Sequence, residues 1–108
     1  TGIMNAGFFG MLADGAFIIN GGRGPQVDDD DLLAALDSGK LGGAALDVFA
    51  VEPLPQNHPF WTHPKVRVWP HVAAQTNATS AAEQVAAAIT AMMNGSEPAN
   101  RVDWSRGY

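Results

Sequence analysis

Across 108 residues, 11 acidic side chains stand against 6 basic ones, a formal charge of −5, and so few scattered cations argue against binding nucleic acid or an anionic membrane. There is no cysteine, which excludes a disulfide framework, a cysteine zinc site and a thiol nucleophile. With 46% hydrophobic and 16% charged residues, the chain has the composition of a globular domain, one that buries about two thirds of its unfolded surface.

No apolar run approaches the roughly 20 residues of a membrane span, and the opening Thr1-Gly2-Ile3-Met4-Asn5 has no charged-then-apolar signal layout. A soluble, cytoplasmic α/β or α+β unit is expected. Asn5 to Leu12 carries Phe8, Phe9, Met11 and Leu12 in a short helical pattern, and Asp14-Gly15 signals a turn. Ala16–Asn20 is a short apolar run of buried-strand type, stopped by Asn20-Gly21-Gly22-Arg23-Gly24-Pro25. A helix over Asp29–Ser38 follows. Asp28 caps its first turn, Asp29 to Asp31 match the helix dipole, and Leu32, Leu33 and Leu36 form its apolar face. The four adjacent aspartates are thus read as a dipole-matched helix start and not as a metal site.

Two further buried strands are expected at Ala44–Val48 and Val66–Val68. The proline-punctuated loop between them is too long for a hairpin. In it His58 and His63 are read as exposed turn residues, and Trp61, with Trp69 beyond the loop, as a packing anchor. A long helix over Asn77–Asn94 closes the pattern. Ser80-Ala81-Ala82-Glu83 has capping-box form, and Ala78, Ala82, Val85, Ile89 and Met92 share one face. Apolar runs alternating with helices imply a parallel sheet with flanking helices.

In open α/β sheets ligands gather beyond the carboxyl ends of the strands. Arg23 follows the first strand, Asp47 closes the second with Glu52 five residues on, and His71 follows the third. Singly, Arg23 reads as a surface arginine and Glu52-Pro53 as a solvated turn. Jointly they put a guanidinium, two carboxylates and an imidazole on one rim. Arg23 offers a planar fork for a substrate carboxylate, His71 gives and takes a proton near neutral pH, and Glu52 beside it would hold its orientation. An acid near a carbonyl, beside an anion clamp, fits reduction of a 2-oxo acid.

Three segments carry a resemblance: Ile18-Ile19-Asn20-Gly21-Gly22-Arg23-Gly24, Ala45-Leu46-Asp47-Val48-Phe49-Ala50-Val51-Glu52-Pro53-Leu54-Pro55 and Pro70-His71-Val72-Ala73-Ala74-Gln75-Thr76. In order and spacing they resemble the NAD(P)-dependent D-2-hydroxyacid dehydrogenases. Pro59-Phe60-Trp61 and the ending Val102 to Tyr108 look most like the glyoxylate/hydroxypyruvate reductase A branch of that family. The resemblance implies a fold, the C-terminal half of a Rossmann-type cofactor-binding domain. It implies catalytic roles for Arg23, which clamps the substrate, for His71, the acid/base, and for Glu52, its partner. It further implies that Asp47 hydrogen-bonds the nicotinamide carboxamide and that Gly22, His71, Ala73 and Ala74 line the NAD(P) pocket.

Two features depart from the family pattern. Gly21-Gly22 stands where larger small residues are usual, which would loosen the loop before Arg23. No G-x-G-x-x-G occurs in the chain. Residues 1–108 are therefore expected to be the C-terminal part of the NAD(P)-binding domain, without the phosphate-binding half and the substrate domain. The chain alone is expected to be inactive. Two functions follow: an oxidoreductase acting on a small 2-oxo or 2-hydroxy acid, or a non-catalytic dinucleotide-binding or self-associating module. A homodimer is expected, formed through the edge Phe17 to Asn20 and the apolar face of the last helix, with the tail Trp104 to Tyr108 reaching a neighbouring chain.

Overall fold

A computed structural model describes residues 2–105. Three strands, β1 (Ala16–Asn20), β2 (Leu41–Leu46) and β3 (Val66–Val68), form a parallel sheet in the order β1-β2-β3. Helices α1 (Ala6–Met11) and α2 (Asp29–Asp37) precede and follow β1, and α3 (Ala78–Met93) follows β3. The parallel adjacency expected from the apolar runs is what the sheet shows. The chain divides into two compact units, Thr1–Ala74 and Gln75–Tyr108.

In the first unit Asp28 caps α2 by accepting the Asp31 N–H at 3.0 Å, as the aspartate run predicts. Asp31 also reaches across to accept the Ala6 N–H at 2.8 Å, which satisfies an otherwise unpaired donor at the start of α1. α1 and α2 pack together and bury Phe9, Leu32 and Leu36 over Ile18, Leu41 and Leu46. Full burial of such side chains stabilises by about 1.5–3 kcal/mol each.

Three expectations need correction. β2 begins at Leu41, three residues before the predicted Ala44, and ends at Leu46, so Asp47 and Val48 lie beyond it. The reason is the Phe17 ring, which lies so close over Gly43 that a Cβ there would meet it at 2.7 Å. The missing Cβ at Gly43 is what lets the ring close on the strand. β1 is covered on one face only: Ile18 is buried, whereas Phe17 and Ile19 are 73% and 81% exposed. His58 and His63 are not exposed turn residues. Their side chains are 20% and 11% exposed and face Asp29 at 3.7 Å and Asp37 at 3.2 Å, because the loop folds down onto α2. Lys65 adds a bond from its Nζ to the Leu36 carbonyl.

In the second unit the N-cap of α3 is Asn77, which accepts the Ser80 N–H at 3.1 Å. Ser80 lies inside the first turn and not at the cap, since helix-compatible Ala78 and Thr79 extend the helix back to the next good capping residue. No residue of α3 is buried, and Val85, Ile89 and Met92 are more than half exposed. Of the expected tail contact, residues 106–108 lie outside the described residues. Among the described residues no helix is long and apolar enough to cross a membrane, and no cluster of three or more His, Asp or Glu could hold a metal ion.

Candidate active site

Two loops leave the carboxyl ends of β1 and β2, and a third carries His71 after β3. The first turns at Asn20, whose carboxamide accepts the Gly22 N–H and donates to the Arg23 carbonyl, both at 3.1 Å. Gln26 reaches back to accept the Arg23 N–H at 3.2 Å. A Cβ on Gly22 would meet that Gln26 oxygen at 2.8 Å. The two glycines therefore do not loosen this loop as expected: bonds from Asn20 and Gln26 pin it. Arg23 itself is exposed, with Nη1 donating to the Gly22 carbonyl at 2.7 Å.

Gly24 is buried where this loop crosses the next one. A Cβ there would overlap the Phe49 carbonyl and the Ala50 nitrogen. That approach sets the arginine loop against the Phe49–Glu52 turn. Glu52 is oriented from two sides: Oε1 accepts the Phe49 N–H at 2.9 Å and Oε2 accepts His71 Nδ1–H at 2.8 Å. The hydrogen bond from His71 foremost, then that from Phe49, hold the Glu52 carboxyl below its usual range, and the Arg23 charge acts in the same direction. Arg23, Glu52 and His71 are thus brought to one rim, as the strand-end reasoning predicts.

With Nδ1 committed to Glu52, the imidazole presents Nε2 as the position that exchanges a proton. His71 takes a left-handed backbone, φ 56°, a conformation few non-glycine residues adopt. Asp47 is 7% exposed, and its two oxygens accept the Val72 and Ala73 N–H groups at 2.9 and 2.8 Å. These bonds, Val72 first, hold its carboxyl below the ordinary range. Gly22, Ala73 and Ala74 are exposed.

A cavity of about 650 Å³ opens beside Glu52 and His71, walled by Phe49, Leu54, Trp61 and Trp69. Trp61 and Trp69 are 52% and 46% exposed, so they wall the site and are not the buried packing anchors the sequence suggests. Asn20, expected to end β1, and Gly24, expected in the turn, have site roles that the sequence reasoning misses. Asparagine at a strand end, followed by two glycines, was the available signal for a side chain that bonds loop backbone.

The family model for D-isomer specific 2-hydroxyacid dehydrogenase, NAD binding domain, matches residues 1–73. The chain is 51% identical over its whole length to glyoxylate/hydroxypyruvate reductase A of Serratia proteamaculans and 49% identical to that of Salmonella newport, covering 34% and 35% of those proteins. It therefore spans about a third of the length of these curated relatives. Among solved structures, the D-isomer specific 2-hydroxyacid dehydrogenase of Xanthobacter autotrophicus Py2, in complex with NADPH and MES, is 45% identical with a TM-score of 0.94; the match covers 99% of this chain and 44% of that one. The NADPH-dependent glyoxylate/hydroxypyruvate reductase of Sinorhizobium meliloti, in complex with NADP and sulfate, is 42% identical with a TM-score of 0.89, over 99% of this chain and 35% of that one. The extent of the family match, over a parallel sheet whose strand ends gather an arginine, a glutamate and a histidine, establishes that the chain belongs to the D-isomer specific 2-hydroxyacid dehydrogenases, within their NAD binding domain.

Proposed function

We propose that this chain carries the catalytic residues of a cytoplasmic reductase that converts a small 2-oxo acid, glyoxylate or hydroxypyruvate, to the D-2-hydroxy acid with NAD(P)H. The observation that carries the reading is the Glu52–His71 pair at 2.8 Å on the rim that Arg23 also occupies. In this reading residues 1–108 are the C-terminal part of the cofactor domain, and phosphate binding by a G-x-G-x-x-G loop falls to sequence outside them.

The strand ends fit the nicotinamide end of the dinucleotide. Gly21, Gly22, Ala73 and Ala74 are exposed and carry at most a methyl group, and a Cβ on Gly21 would come within 3.3 Å of that of Ala73. A flat ring can therefore approach the backbone closely. Gly22, Asp47, His71, Ala73 and Ala74 would hold it, and when bound the nicotinamide supplies the hydride. Arg23 binds the substrate carboxylate through its planar fork and polarises the ketone. His71 donates the Nε2 proton to the ketone oxygen as C2 is reduced, and Glu52 accepts the Nδ1–H bond throughout, keeping the ring in register.

A chimera in which this chain replaces the matching third of the Serratia proteamaculans reductase tests the reading. It is expected to oxidise NADPH in the presence of glyoxylate, and Arg23→Ala in it is expected to lose at least about 100-fold in kcat/KM. A folded but inactive chimera, or an Arg23→Ala variant of near-normal kcat/KM, contradicts it. A second reading, self-association into a homodimer, is favoured by the exposed apolar face Val85, Ile89 and Met92 of α3 and by Phe17 and Ile19 of β1.

A further inference from the structure

Two polar side chains among the described residues are buried, Asn20 at 3% and Asp47 at 7% exposure. They sit at the carboxyl ends of the adjacent parallel strands β1 and β2, and the Asp47 N–H donates to the Asn20 carbonyl at 2.9 Å. Neither spends its side chain on another side chain. Asn20 holds the arginine loop through the Gly22 N–H and the Arg23 carbonyl. Asp47 holds the histidine loop through the Val72 and Ala73 N–H groups. The two loops that bring Arg23 and His71 to the rim are thus tied to one joined pair of strand ends.

We propose that Asn20 and Asp47 are positioning residues, a buried polar frame that sets Arg23 and His71 in place, with Asp47 holding His71 in its left-handed backbone so that the imidazole meets Glu52. Asp47 constrains its loop the more tightly of the two. Hydrogen bonds from backbone N–H to a carboxylate are charge-assisted and short, and two of them on consecutive amides fix the direction of the chain just past His71. The strained φ of His71 persists only if its surroundings over-determine it, and these two bonds constrain the residues that follow it. The carboxyl is kept ionised by the same amides and by the facing His71. With one lone pair on each oxygen given to backbone, Asp47 fixes the loop through its side chain. This positioning role stands beside the cofactor contact that the family resemblance implies.

The inference rests on the reading of Arg23 and His71 as site residues, and its test does not depend on activity. In the isotope-labelled 108-residue chain, NMR couplings across hydrogen bonds are expected between the Asp47 carboxyl carbon and the amide nitrogens of Val72 and Ala73. In Asp47→Ala both amides are expected to exchange at least about tenfold faster while that of Ala44 in β2 is unchanged. The His71 ring resonances are expected to shift with them. Asp47→Asn retains one accepting oxygen and is expected to release one of the two amides, which keeps the test decisive if the alanine variant does not fold. Unchanged exchange at Val72 and Ala73, or faster exchange with the His71 ring unmoved, overturns the proposal.

Discussion

Replacing Gly24 by alanine drives a methyl group into the Phe49 carbonyl. To regain ordinary contact beyond 3.4 Å the arginine loop and the Phe49–Glu52 turn must part by more than about 1 Å. Both partners in the clash are backbone, so no side chain can turn aside to absorb it. Overpacking of this kind costs about 1–3 kcal/mol, which urea unfolding of the chain reads as a lower midpoint. The displacement falls between Arg23 and Glu52, and a misplacement of about 1 Å in a catalytic constellation is enough to lose about 100-fold in rate. That loss is the expected effect on kcat/KM in the Serratia chimera. Gly22→Ala is the control for the unfolding midpoint alone. Its methyl meets the end of the Gln26 side chain, which can swing away at the loss of one hydrogen bond to the Arg23 N–H, about 1 kcal/mol. A Gly24→Ala chain with unchanged midpoint and a chimera with unchanged kcat/KM would refute the claim that this crossing sets the site.

The lowered Glu52 carboxyl makes its contribution to stability pH-dependent in a stated direction. The contribution is present above the ordinary glutamate range and is lost as pH falls through the lowered folded value, so the urea midpoint of wild type relative to Glu52→Gln is expected to shrink in acid. A difference that grows in acid contradicts the pairing with His71. The purified chain alone, whose sequence holds no G-x-G-x-x-G, is expected to oxidise no NADPH with glyoxylate above the buffer rate, and turnover by it would show that these residues suffice. Sedimentation equilibrium at micromolar concentration is expected to give a dimer or larger, and a sharp mass of 11.3 kDa without concentration dependence would remove the self-association reading.

The sheet and its rim were legible because they depend on local signals. Apolar runs mark β1 and β3, the aspartates mark the start of α2, and the residues that follow each strand are the residues on the rim. What escaped the sequence depends on contacts made at a distance. Gly42 and Gly43 carry no side chain to extend the apolar run, and their place in β2 shows only where Phe17 of the neighbouring strand lies over them. His58 and His63 read as turn residues because their partners Asp29 and Asp37 lie 29 and 26 positions away. The run at β1 could not reveal that only one of its faces would be covered, since an unbroken apolar strand has no period to read. For Asp47 the residue type pointed to the site, but which groups its oxygens accept is decided by where the third loop lands.

The central claim is that His71, held by Glu52, protonates the substrate carbonyl. His71→Asn in the Serratia chimera tests it most directly, because asparagine tolerates the left-handed backbone at this position and carries no transferable proton. The measurement is kcat/KM for glyoxylate with saturating NADPH. The account predicts a fall of about 100- to 10,000-fold, carried by kcat; a value within about threefold of the parent chimera would contradict it.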